Sequence, residues 1–142
     1  MLPIDLTGKR AFVAGVADDQ GYGWAIVRAL AAAGASICVG TWPPTMRIFT
    51  KSLDRGKLDR ALPGGGEIEF ERIYPFDAMF DTAEDVPEEV AQDRRYKELS
   101  GYWIQGVADQ VRDEFGEGGI DVHVHALANG QATLIDVREI AE

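Results

Sequence analysis

Short continuous apolar runs alternate along the chain with longer amphipathic ones. KRAFVAGV, residues 9–16, follows Gly8 and has the length and composition of a buried strand. Residues 22–34, YGWAIVRALAAAG, place Ile26, Ala29, Leu30 and Ala33 on one face and are rich in alanine. That spacing predicts a helix, with Gly34 as its C-terminal cap. ASICVGT, residues 35–41, predicts a second buried strand. Strand, helix and strand in about 30 residues make a βαβ unit with a right-handed crossover.

The stretch from Trp42 to Gly66 is less regular. It opens on Pro43-Pro44 and closes on Pro63 and three glycines. Ile48, Phe49, Ser52 and Leu53 predict a short helix between them. Residues 67–74, EIEFERIY, set Ile68 and Phe70 against Glu67, Glu69 and Glu71, as in a third strand with one less buried face. Residues 81–101 are charged and loop-like, with a short helix after Pro87. Ile104, Val107, Val111 and Phe115 line one face of a helix over 102–116, and 120–130 read as a fourth strand running into a loop. The last twelve residues, QATLIDVREIAE, read as helical. The alternation predicts an α/β fold with a doubly wound parallel sheet, of which four strands are visible. A complete sheet of this kind normally has more strands.

Composition narrows the function. The chain has 142 residues, 46% of them hydrophobic, enough for one domain with a real core. Its net charge of −10 argues against a nucleic-acid or anionic-membrane surface. No apolar stretch approaches the roughly 20 residues of a membrane span, and no signal or transit segment is visible at the start. A single cysteine, Cys38, excludes an internal disulfide and a cysteine-cluster metal site. It lies in an apolar run and reads as a buried inert thiol. Two histidines, His123 and His125, are too few for a typical zinc site, so no metal is expected.

The candidate chemistry lies in AFVAGVADDQGYGWAI, residues 11–26. A phosphate cradle needs converging backbone N–H groups, no obstructing side chain and a helix N-terminus. Gly15 sits where the first strand should end, and Gly21 and Gly23 where the helix begins. The spacing G-x5-G-x-G departs from the G-x-G-x-x-G dinucleotide fingerprint. Asp18 and Asp19 also lie in the loop, where a carboxylate facing a pyrophosphate would be repelled, so in a cradle they must point to solvent or cap backbone amides. On spacing alone, a cradle and a plain strand-to-helix turn stay equally open. The second strand ends at Gly40-Thr41-Trp42 without the acid that usually accepts a ribose hydroxyl. Trp42 either presents a flat face to an adenine or packs on the following prolines. Asp77, just past the third strand, either accepts from an adenine amino group or starts a turn. Asn129-Gly130 follow the fourth strand, so four strand ends converge on the edge where such sheets bind ligands.

Five motifs carry a resemblance: AGVADDQGYGWAI, GTWPP, YPFDAMFDTAEDVPEEV, RRYKELSGY and HALANG. Together they resemble the NADH-dependent enoyl-acyl-carrier-protein reductases, in the branch of plant plastids, apicoplasts and chlamydia-like bacteria; the Trp42-Pro43-Pro44 run resembles apicomplexan members. The likeness runs from about Leu2 to Gly130. It implies a Rossmann-type short-chain dehydrogenase/reductase fold, truncated here after about four strands. Residues 1–130 would be an NAD-binding half-domain, and 131–142 a divergent tail. The resemblance places Gly15, Ala17, Gly21 and Tyr22 along the diphosphate and ribose of NADH. It places Trp42 beside the adenine, with Asp77, Ala78 and Met79 at its edge. Ala126, Leu127, Ala128 and Asn129 would run beside the nicotinamide ribose.

The resemblance also implies a trans-2-enoyl substrate on acyl carrier protein, a homotetramer whose core helices this sequence does not include, and a plastid or apicoplast location, with a bacterial cytoplasm as the alternative. Two positions depart from it. Ala126 stands where a serine is usual, and His123 stands where an aliphatic residue is usual. A histidine inside a central strand is costly unless hydrogen-bonded. The catalytic tyrosine and lysine of the family lie beyond Gly130. No local pair replaces them: none of Tyr22, Tyr74, Tyr96 and Tyr102 has a lysine four or seven residues on, and the last lysine is Lys97. The sequence therefore predicts a cofactor-binding chain without turnover of its own. The alternative is a non-catalytic module that binds nucleotide or associates with reductase subunits.

Overall fold

In a computed structural model, residues 3–127 are described. Four strands form one parallel sheet: β1 (Arg10–Ala14), β2 (Ser36–Thr41), β3 (Phe70–Pro75) and β4 (Val122–His125). Their spatial order is β3-β2-β1-β4. This matches the first four positions of the doubly wound order 3-2-1-4-5-6, and it puts the reversal of strand order between β1 and β4.

Helix α1 (Tyr22–Ala32) connects β1 to β2, and α2 (Pro43–Asp54) begins directly after β2. Gly34 has φ +98° and closes α1 by two bonds, its own N–H to the Ala31 carbonyl at 3.0 Å and the Ala35 N–H to the Leu30 carbonyl at 3.1 Å. This satisfies carbonyls at the helix end, as the sequence predicts. Helix α2 is longer than its pattern suggests. Pro43 and Pro44 occupy its first positions, where a missing N–H costs nothing. A four-residue α3 (Glu88–Ala91) follows Pro87, and α4 (Ile104–Phe115) runs back to β4.

Alternation along the strands sends side chains to two cores. Ala11, Val13, Ile37 and Val39 pack with Trp24 and Val27 of α1 and Phe49 of α2. Phe12, Ala14, Cys38, Tyr74 and Phe76 pack on the other face with Val107 of α4. Each fully buried large side chain contributes about 1.5–3 kcal/mol, so the buried face of α1, with Trp24 and Val27, contributes a large share of the net stability of an ordinary domain.

Two expectations need correction. The third strand begins at Phe70, not Glu67. The Ile68 N–H is taken by the Arg60 carbonyl at 2.7 Å, and Ala61 bridges Glu67. A turn through Gly64–Gly66 thus uses the ladder groups that would have paired with β2. Ile68 is still fully buried, in the α1/α2 core. The second correction concerns His123, which His125 accompanies on the same face. Both are exposed on the α4 face of β4, with His123 edge-on to Phe12 at 5.7 Å. Water therefore removes the desolvation cost expected for a central strand. The tail 131–142, Ala128 and Asn129 lie outside the described residues.

At the opposite end of the strands, Arg10 donates two bonds of 2.9 Å to the Glu71 carboxylate, and its guanidinium lies 3.8 Å from the Phe115 ring centroid. The Arg10 contact holds the Glu71 carboxyl below its usual range. Glu71 is the extra residue at a register shift between β2 and β3. An ion pair so close to solvent adds little stability by itself, and it is the Arg10–Phe115 contact that joins this end of the sheet to α4.

Burial, and secondarily the Glu71 charge, push the Cys38 thiol up to about 11; burial and Glu114 push the Tyr74 hydroxyl up to about 12. Unfolded, both ionise sooner, so above about pH 9 the unfolded chain binds fewer protons than the folded one and stability falls as pH rises. Urea melts should give a lower midpoint at pH 10.5 than at pH 7.5, and a smaller difference in Cys38→Val. An equal drop in that variant would exclude the thiol as a source.

Candidate functional site at the carboxyl edge of the sheet

Because all four strands are parallel, their carboxyl ends share one edge. At the exit of β1, Gly15 has φ +105°, and its N–H bonds the Gly40 carbonyl of β2 at 2.9 Å. A methyl on Gly15 would run into the backbone carbonyl of Ala126, just after β4. A methyl on Gly23 would strike the carbonyl of Gly15. These glycines are thus required by close approach of α1, β1 and β4 at the strand-order reversal.

The intervening acids are committed to the protein. Asp18 Oδ1 accepts the Gln20 N–H at 2.9 Å and the Gly21 N–H at 3.0 Å. Asp19 Oδ2 accepts the Asp59 N–H at 2.9 Å and its Oδ1 the Gln20 side-chain amide at 3.1 Å. The Asp59 amide, then Gln20, hold the Asp19 carboxyl below its usual range. Helix α1 has no side-chain cap and no acid in its first turn. Its leading N–H groups, together with the dipole of an 11-residue helix, thus remain available to an anion at this edge.

Beside that loop lie large side chains left in water: Tyr22 at 84% exposure, Met79 at 54% and Trp42 at 43%. Trp42 is not free to turn, since its indole N–H donates to Asp77 Oδ2 at 3.3 Å. Asp77 is only 4% exposed. Its Oδ2 also accepts the Tyr96 hydroxyl at 2.8 Å, and its Oδ1 the Met79 N–H at 3.0 Å. The Asp77 N–H donates to the Tyr102 carbonyl at 2.7 Å. Burial first, then the hydrogen bond to Asp77, raise the Tyr96 hydroxyl well above its ordinary range. Tyr102 is raised by burial and then by the Asp77 charge.

Asp77 therefore does begin a turn, one of the two roles open from the sequence, and it also ties Trp42 down. Three acceptor contacts leave a carboxylate with capacity for one more donor. Ala17 is half-buried in the loop before α1. Ala78 and Leu127 pack partly into the α4-side core, and the Ala126 N–H bonds the Ala14 carbonyl at 2.8 Å.

Sequence reasoning passed over Tyr96 and Tyr102 as binding-site neighbours. The available signal was two tyrosines, six positions apart, in a segment otherwise dominated by charge. It also did not identify Thr41, which is fully buried at the end of β2 with no partner for its hydroxyl among the described residues.

An apolar cavity of about 530 Å³ lies elsewhere, between α4 and the sheet, lined by Phe12, Phe76, Val107, Val111, Ile120 and His123. It is a flank of the sheet and not the strand edge, so it is not the candidate site. Among the described residues no cluster of three His, Cys, Asp or Glu could hold a metal, and no helix is long and apolar enough to cross a membrane.

The glycine cradle is open, the nearby acids are turned into backbone amides, and an exposed indole adjoins a buried acceptor. A parallel 3-2-1-4 sheet with a glycine-lined turn at its reversal point defines the class: a Rossmann-type α/β protein.

Comparison with known proteins gives the family. The chain is 57% identical over 131 residues to the chloroplastic enoyl-acyl-carrier-protein reductase (NADH) 2 of rice, Oryza sativa subsp. japonica, covering 91% of this chain and 35% of that protein. It is 56% identical to the chloroplastic enzyme of Arabidopsis thaliana, of which it covers 33%. The crystal structure of the Plasmodium berghei enoyl-acyl-carrier-protein reductase with triclosan superposes with a TM-score of 0.79 at 35% identity, covering 87% of this chain and 42% of that one. No family model matches. Over the matched residues the chain is a relative of the NADH-dependent enoyl-acyl-carrier-protein reductases. It spans about a third of the length of the plant relatives, and its identity is higher to them than to the Plasmodium protein.

Gly23→Ala should destabilise the chain by about 2 kcal/mol or more, because the new methyl meets the Gly15 carbonyl on one side and the Val16 side chain on the other. Gly56→Ala, where nothing lies within 4 Å, should cost about 1 kcal/mol through its φ of +66° alone. Thermal or urea melts of the two variants check the order, and a Gly23→Ala melt no lower than Gly56→Ala would contradict the close approach.

Proposed function

We propose that this chain is the nucleotide-binding part of a plastid-type enoyl-acyl-carrier-protein reductase. Residues 1–130 form its NAD-binding unit, and 131–142 are a tail apart from it. The observation that carries this reading is the juxtaposition, in a segment 57% identical to a plant reductase, of the Gly15 turn, the exposed Trp42 indole and the buried Asp77 carboxylate.

In this reading the diphosphate and ribose lie along Gly15, Ala17, Gly21 and Tyr22, with the diphosphate at the free leading N–H groups of α1. The Trp42 ring lies against the adenine, and Asp77, Ala78 and Met79 border it. Ala126, Leu127, Ala128 and Asn129 pass beside the nicotinamide ribose. The missing hydroxyl at Ala126 costs one contact there. When bound, NADH supplies the hydride for reduction of a trans-2-enoyl chain carried on acyl carrier protein. The substrate and a plastid location are taken from the named relatives, and assembly into a homotetramer from the family resemblance.

No tyrosine in these 142 residues has the lysine spacing that would make a proton-donating dyad. The chain's own share of the reaction is therefore binding and orientation. The apolar cavity along α4 favours a second reading, in which the same unit also associates with other reductase subunits.

Titration of the purified chain with NADH should show saturable binding that weakens about tenfold or more in Trp42→Ala, since losing a stacking aromatic costs about 1–3 kcal/mol. With NADH and a crotonyl thioester, absorbance at the nicotinamide band should stay constant. Absence of NADH binding would overturn the cofactor reading, and sustained NADH oxidation would overturn the division of roles.

A further inference from the structure

Trp42 presents a large flat face to water, and a half-exposed indole would normally sample several orientations. Here its N–H is held, but by a long bond of 3.3 Å to Asp77 Oδ2. Such a bond orients the ring only if the acceptor itself is fixed. The fixing comes from the segment between β3 and α4. The Tyr96 hydroxyl donates to the same Oδ2 at 2.8 Å, a short and charge-assisted bond. Tyr96 is buried and stands edge-on to Tyr102 at 5.1 Å, and the Tyr102 carbonyl takes the Asp77 N–H at 2.7 Å. The Met79 N–H holds the other oxygen at 3.0 Å. Tyr96 thus has no exposed surface to offer a ligand, yet it sits two bonds from the exposed indole.

We propose that Tyr96 is a positioning residue: through the shared Asp77 oxygen it sets the plane of the Trp42 indole, so that a purine ring meets a stacking face already in place. The proposal rests on the dinucleotide reading above and deepens it at the adenine end. Removing the hydroxyl frees Oδ2 to shift, loosens the indole and makes the ligand order the ring on binding. The loss is confined to ligands that carry a purine. The nicotinamide half binds at the other end of the edge and does not touch Trp42.

The experiment combines variants with fragments of the cofactor. AMP, reduced nicotinamide mononucleotide and NADH are titrated by calorimetry into the unmodified chain, Tyr96→Phe, Trp42→Phe and the double variant. Tyr96→Phe should weaken AMP and NADH by about tenfold, the scale of one charge-assisted hydrogen bond, and leave the mononucleotide within about twofold. In the Trp42→Phe background the same change should cost less than about twofold for AMP, because its route to the ligand is gone. Equal weakening of AMP and the mononucleotide, or an undiminished effect in that background, would make Tyr96 a merely structural residue and overturn the inference. If the unmodified chain binds neither AMP nor NADH, the dinucleotide reading fails and this one with it; if it binds them and Tyr96→Phe is neutral, only this one fails.

Should Tyr96→Phe not fold, the unmodified chain decides by indole NMR. The chain has three tryptophans, and Trp42→Phe identifies the Trp42 signal. Its N–H should exchange with water about tenfold or more slowly than a free indole, and exchange at the free rate overturns the proposal.

Discussion

Backbone crowding at Gly15 is the constraint on which the remainder of the molecule turns. The residue leaves β1 with a left-handed backbone and bonds its N–H to β2. Its carbonyl lies where a methyl on Gly23 of α1 would fall, and the Ala126 carbonyl after β4 lies where its own methyl would fall. Three secondary elements therefore approach as closely as bare main chain permits. The same approach brings the uncapped first turn of α1 to the β1 exit, with the Val16 side chain packed beside Gly23. Packing and ligand geometry are consequences of one arrangement.

Electrostatics at that edge runs against the charge of the whole chain. A net charge of −10 repels an anion at a distance. Within the cell's ionic strength, though, exposed charges farther away than about 8 Å are largely screened. The near field is set by helix amides. The two closest acids, Asp18 and Asp19, spend their oxygens on backbone and side-chain amides of Gln20, Gly21 and Asp59. Local dipoles outweigh the distant charge because they are close and already oriented.

The Asp77 junction is built differently. It brings together the end of β2, the exit of β3 and the segment before α4 on one carboxylate. A buried acid with three donors is well satisfied, and its donors are correspondingly fixed. The charged run 81–101 reads as solvated loop in isolation. In the fold, its Tyr96 and the adjoining Tyr102 turn inward and make it a wall of the candidate site.

What could be read from the chain alone was whatever depends on near neighbours. Continuous apolar runs give β1 and β2, a short valine-bearing run gives β4, the alanine-rich spacing gives α1 and its Gly34 cap, and Pro87 gives α3, because periodicity and capping act over a few residues. The glycines at 15 and 23 were visible as a turn, but their spacing left cradle and plain turn open. Only the contacts with Ala126, over 100 residues away, explain why no other residue serves at Gly15. The start of β3 was misplaced for the same reason, since Arg60 and Ala61 compete for the hydrogen bonds of 67–68. The exposure of His123 and His125, the hold of Asp77 on Trp42 and the inward turn of Tyr96 were likewise decided by the tertiary structure. Each depends on which distant groups share a face or a carboxylate, and no local pattern encodes that.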